Sequence, residues 1–189
     1  MAIDKLIVKF FATEPPERIA DAIDVFHRWI QDDSIDGLPL DVADYAHVPD
    51  GPGIILIGHE ADHALDETEG PVGYMYRRKR LLAGSDEERV LACFKAAVAA
   101  AAKLSEDPKL GLKLDLSRVR LVFNDRLAQP NTDAGWDAVS AAVQAAVSKA
   151  YGGADLMVER DAGDPRARLG VTIGVAGDHS LASLAGNLV

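Results

Sequence analysis

The chain has 189 residues, 48% of them apolar and 26% charged, with a formal net charge of −10. That size sustains one hydrophobic core without disulfide or metal staples, and the composition is globular rather than disordered. The net acidity argues against nucleic acid as a partner, and the lone Cys93 excludes an internal disulfide. No run approaches the length of a membrane span and no secretory signal opens the chain, so no membrane partner and a cytoplasmic location are expected.

Leu6-Ile7-Val8-Lys9-Phe10-Phe11 reads as a buried strand. Thr13-Glu14-Pro15-Pro16-Glu17 has the marks of a helix start, and Ile19, Ile23, Phe26 and Ile30 then recur at helical spacing. Leu40–Val48 reads as a strand, with Asp41 and Asp44 unusual inside it. The turn Pro49-Asp50-Gly51-Pro52-Gly53 leads to a second buried strand at Ile54–Ile57. A turn around residues 67–70 leads to a third strand at Pro71–Tyr76, which makes residues 40–76 an antiparallel meander. Ser85-Asp86-Glu87-Glu88 matches a capping box and opens a long amphipathic helix that Pro108 ends.

Val119, Leu121 and Phe123 alternate with more polar positions and predict a strand. Asn131-Thr132-Asp133 caps a third helix, which Gly152-Gly153 terminates. Leu156–Glu159 and Leu169–Val175 are two further strands, and the small, polar tail from Gly177 is expected to fray. The order is βαβββα-βαββ in an α+β (or α/β) fold, a mostly antiparallel or mixed sheet with about three helices on it. Residues 1–176 form one domain with 177–189 as a flexible tail. Halves at 1–108 and 109–176, each opening with a β-α-β-β unit (6–66 and 118–175), suggest a duplication, although no residue-level repeat supports it.

The sharpest motif is Gly58-His59-Glu60-Ala61-Asp62-His63, which contains the His-Glu-x-x-His string of zinc peptidases. On a helix, His59 and His63 would share one metal, with Glu60 as general base; on a strand they would stand about 13 Å apart and could not. The β-branched residues before the motif favour a strand. A hairpin register that sets Asp44 opposite Gly58 would gather Asp41, Asp44, His59, Glu60 and Asp62 on one sheet surface. Such a group suits a divalent cation or acid–base work, and a solvated acidic face is the plainer reading.

Arg77-Arg78-Lys79-Arg80 follows a strand ending in Tyr74-Met75-Tyr76. It suits an anionic ligand, pairing with the acids of residues 1–70 (16 acids against 4 bases), or self-association through the same pairing between copies. Asn124-Asp125-Arg126 sits at a strand end before a helix start, a frequent ligand position and also an ordinary turn. Cys93 reads as a small buried apolar residue.

Two functional classes follow. One is a non-catalytic binding or interaction protein that holds a small anionic ligand through Arg77, Arg78, Arg80, Asn124 and Arg126. The other is a metal-dependent hydrolase that uses Asp44, His59 and Glu60, with His59 and His63 as metal ligands.

Overall fold

Residues 6–11 carry apolar side chains at both strand parities, Lys9 excepted, which suits a strand covered on both faces. In the computed structural model, which describes residues 2–68 and 70–189, they begin β1 (Leu6–Glu14). A short 3-10 turn (Ile19–Asp21), α1 (Ala22–Gln31) and four strands follow: β2 (Pro39–Asp44), β3 (Ile54–Gly58), β4 (Ala61–Asp66) and β5 (Gly73–Arg78). Then come α2 (Asp86–Ser105), β6 (Lys113–Phe123), α3 (Asp133–Ala150), β7 (Leu156–Arg160), β8 (Leu169–Val175) and α4 (Leu181–Asn187). Glu69, within the expected turn at residues 67–70, and Met1 lie outside the described residues.

The eight strands make one antiparallel sheet in the order β2-β3-β4-β5-β1-β6-β8-β7. This is the α+β arrangement the sequence implies, with one more strand and one more helix than expected. The extra strand arises because the apolar run from Ile54 turns at His59-Glu60 and returns as β4. Each half of the chain follows the same course. A central strand leads into a helix, the chain reaches the sheet edge, and a meander brings it back beside that strand. β1 returns through β2–β5, and β6 through β7–β8.

Strand alternation sorts side chains onto two unlike faces. Leu6, Val8 and Phe10 of β1, Val119, Leu121 and Phe123 of β6, and Leu169, Val171 and Ile173 of β8 join the helices in the main core. α2 packs on β1 and β5 and against α3 and α4, while α1 lies over β2 and β3. The opposite face holds a smaller apolar cluster of Ile7, Ile55, Ala64, Met75 and Val122. Beside it Lys9 is 1% exposed and reaches past β5 to Asp66 on β4, at 2.7 Å. Gly73, the β5 position paired with Asp66, offers no side chain in the way. The remaining Lys9 donors meet the carbonyls of Asp66 and Thr68, so this buried charge is fully hydrogen-bonded.

Several local expectations meet their structural reasons here. The capping box of α2 forms as read, with Ser85 N donating to Glu88 Oε2 at 2.7 Å and Glu88 N to Ser85 Oγ at 3.3 Å. Thr132 caps α3 by accepting from Gly135 N at 3.1 Å. Gly135 is required there, because a Cβ would come within 2.0 Å of the Pro130 carbonyl oxygen. The helix expected from Thr13 starts only after Arg18, since Pro15-Pro16 holds the preceding residues extended and β1 runs on to Glu14. Asp41 and Asp44 fall on β2, a sheet edge, where charge discourages pairing with other chains.

The tail does not fray. Ser180 and Ser183 cap each other's backbone N–H groups, Leu184 is fully buried against the core, and Asn187 Nδ2 donates to the Ala150 carbonyl at 3.1 Å. One apolar anchor on a seven-residue helix outweighs the small, polar composition around it. Leu184→Ala is therefore expected to cost about 2–4 kcal/mol in urea unfolding; a loss under about 0.5 kcal/mol, the scale of an ordinary surface change, would show that α4 contributes nothing to the core.

Candidate functional site

The segment Gly58–His63 folds as strand, turn, strand: β3 ends at Gly58, His59 and Glu60 make the turn, and β4 starts at Ala61. The zinc-peptidase arrangement needs both histidines on one helix face, and this backbone provides none. His59 is exposed in the turn, whereas His63 is buried toward the helices. The hairpin register also differs from the one proposed. Asp44 pairs with Ile54, Asp41 with Ile57 and Pro39 with Gly58, so Asp44 lies at the far end of the hairpin from His59. There Asp44 Oδ1 accepts from Ala46 N at 2.9 Å and caps the turn. Among the described residues no group of three or more His, Cys, Asp or Glu is placed to hold a metal ion.

The basic run divides by strand parity. Arg77 faces the side of the sheet away from the helices and pairs with Asp62, its neighbour in register, at 2.5 Å. Lys79 Nζ binds the other Asp62 oxygen at 2.7 Å, and Gly58 N donates to it at 3.1 Å. Asp62 is fully buried, so Arg77 and Lys79 neutralise an internal charge. Arg80 is exposed beyond the strand, and its carbonyl accepts from Arg78 Nε at 2.8 Å.

Arg78 faces the helices and lines a cleft of about 310 Å³ between the α1–β2 loop, the β4–β5 end of the sheet and α2. Its long wall is Ala92, Ala96 and Ala99 of α2, with Lys103 one turn further on; their spacing puts all four on one helix face. Sequence reading passes over these alanines as an ordinary helical run, although their spacing is visible there. Glu60 and the α1–β2 loop close one side. Glu60 Oε2 accepts from Leu38 N at 2.9 Å, and that hydrogen bond holds its carboxyl below the usual range. Gly37 (φ +93°) makes the turn, and a Cβ on it would stand 3.0 Å from the same oxygen. Lys103 Nζ donates to the Ser34 carbonyl across the cleft.

His63 forms the inner end. It packs edge-on against Trp29 and Tyr76, and its Nδ1 lies 2.7 Å from the Tyr74 hydroxyl. Burial outweighs the charge of Asp62 and holds the imidazole down at about 4, so it is neutral near pH 7. The completely buried Tyr74 hydroxyl has the imidazole as its hydrogen-bond partner, and the ring lines the inner end of the cleft. Burial pushes the Tyr76 hydroxyl up to about 12 despite the neighbouring Arg78. Cys93 behind it is likewise pushed up to about 12 by burial, an inert core thiol as its sequence context implies.

Of the residues singled out from sequence, the cleft gathers Glu60, His63 and Arg78. His59, Asp44, Arg77 and Arg80 lie outside it. Asn124 and Arg126 lie on the other side of the sheet, around a second concavity. Tyr76, Lys103 and the alanine wall are the cleft residues that sequence reading misses.

Two stability tests follow. His63 takes up a proton in the unfolded chain near pH 6.5 but in the folded chain only near pH 4, so its contribution is complete above pH 6.5 and is lost as pH falls toward 4. Between pH 7 and 4, wild type is expected to lose about 3 kcal/mol more than His63→Gln in paired urea titrations. Parallel pH profiles would mean that His63 is not buried as a neutral ring. Asp62→Ala is expected to cost about 3 kcal/mol by leaving the Gly58 N–H and two cations without their acceptor; a cost below about 1 kcal/mol would show the cluster to be solvated.

Comparison of the chain with protein-family models, with curated proteins and with solved structures finds no match.

Proposed function

We propose that this protein is a non-catalytic binding protein for a small anionic molecule, and that the α1–α2 cleft is where it binds. The observation that supports this reading is the pairing of an apolar alanine wall with two cations, Arg78 and Lys103, and the His63 imidazole around one cavity of small-molecule size. Asp36 and Glu60 line the same cleft and offset the two cations in formal charge; Glu60 is engaged by the Leu38 N–H, which leaves Arg78 and Lys103 to meet a ligand. A compact carboxylate with a short aliphatic or aromatic body fits this chemistry. Its body would lie along Ala92, Ala96 and Ala99, and its charge would meet Arg78 and Lys103. The neutral imidazole favours binding over proton transfer, since a ring that protonates only near pH 4 is a weak base at pH 7.

The test is a ligand-observed NMR screen of small aliphatic and aromatic carboxylates, followed by calorimetry on each hit. Arg78→Ala is expected to weaken binding tenfold or more, the scale of one charge-assisted hydrogen bond. Ala96→Leu, which fills the cleft from α2, is expected to abolish it. Hits that bind both variants as tightly as wild type would place the site elsewhere and end this reading.

A further inference from the structure

The opposite face of the sheet carries a second concavity, of about 710 Å³, around the end of β6 and the β7–β8 loop. It lies at the same end of the sheet as the cleft, since Leu6 pairs with Phe123 on one side while Ile7 pairs with Arg77 on the other. Four arginines meet there from separate parts of the chain: Arg120 in β6, Arg126 in the β6–α3 loop, and Arg166 and Arg168 just before β8. With Asp161 and Asp164 they leave the lining two positive charges in excess, in a chain whose net charge is −10.

The setting is built rather than accidental. Asn131 is 5% exposed and donates through Nδ2 to the carbonyls of Asp161 and Asp164 at 3.0 and 3.1 Å, which fixes the loop that carries Arg166. Arg120 lies across the sheet, paired with Asp161 and donating to Thr172 Oγ1 at 3.3 Å. Gly170 makes room for that pair, since a Cβ there would come within 2.8 Å of both Arg120 and Asp161. Arg168 donates to Asn124 Oδ1 at 3.2 Å. Asp164 is occupied with the backbone N–H of Arg166 at 2.9 Å. Arg126 is braced by the Arg166 carbonyl at 2.9 Å, and among the described residues neither Arg126 nor Arg166 has a carboxylate within ion-pair distance. Two guanidinium forks thus stand ready beside two that are already oriented.

From this we infer a second binding site, for a small polar molecule carrying phosphoryl groups. Guanidinium forks match phosphoryl oxygens in pairs, and the two excess charges match a phosphoryl dianion. The lining is arginine, asparagine, aspartate, alanine and glycine, with no aromatic ring among the described residues. A nucleobase would find no aromatic stacking platform there, which favours a diphosphate or a phosphorylated sugar over a single-stranded nucleic acid.

The probe is pyrophosphate, titrated calorimetrically into the full chain at physiological ionic strength. The expected result is one-to-one binding that falls at least tenfold in Arg126→Ala/Arg166→Ala and is unchanged in Ala96→Leu. Both arginines are exposed, and circular dichroism of the variant checks that its fold persists. Absence of pyrophosphate binding, or equal affinity in the double variant, overturns the site. Binding of a single-stranded oligonucleotide without any binding of pyrophosphate overturns it in favour of a polymer surface. Loss in Ala96→Leu alone would assign the diphosphate to the α1–α2 cleft and overturn the second site.

Discussion

The pairing of β1 with β6 is the constraint on which the rest of the molecule depends. Each half of the chain makes a central strand, a helix and a meander that closes back on that strand, and each would leave the strand's other edge unpaired. Setting β1 against β6 satisfies both edges at once and fuses the halves into one sheet. The seam then needs cover. α2 supplies it by packing on β1 and β5 and gathering α3 and α4 behind it. Register along the seam also fixes which side chains look toward the helices and which look away.

That division produces two surfaces of different character. The helix side is a continuous apolar core, and its cleft opens where the α1–β2 loop stands away from α2. On the other side, where no helix packs among the described residues, the strands carry long charged residues beside a small apolar cluster. Lys9 with Asp66 across β5, and Asp62 with Arg77 and Lys79, answer the cost of placing charge there by ion pairing. The same absence of covering helices leaves room for the arginine basin beyond Arg120.

The cleft and the basin differ as binding environments. The cleft sets Arg78, Lys103 and the His63 imidazole against an alanine wall, the setting of the proposed ligand with one charged end and an apolar body. The basin is polar throughout and suits a ligand that is itself polar and doubly charged. Opposite faces of the sheet keep the two separate, because Arg78 and Arg120 stand at opposite parities of strands on either side of β1.

The sequence by itself determined most of the local structure. Serine and threonine caps placed the starts of α2 and α3, alternation placed β8, and the apolar run of β1 marked it as a buried strand. These signals are carried by neighbouring residues and need no distant partner. Only the tertiary structure decided the rest. The turn at His59-Glu60, which ends the resemblance to a zinc site, is set by β3 and β4 pairing with each other. The division of Arg77 from Arg78 follows from register with Asp62, and the order of α4 from a pocket that the rest of the fold provides for Leu184. The cleft itself unites Glu60, His63, Arg78 and Lys103 from segments that meet only once the sheet closes and α2 lies across it. Composition and spacing record which residues are present in each segment; which segments share a surface is settled by strand register and helix packing, and these are properties of the whole chain.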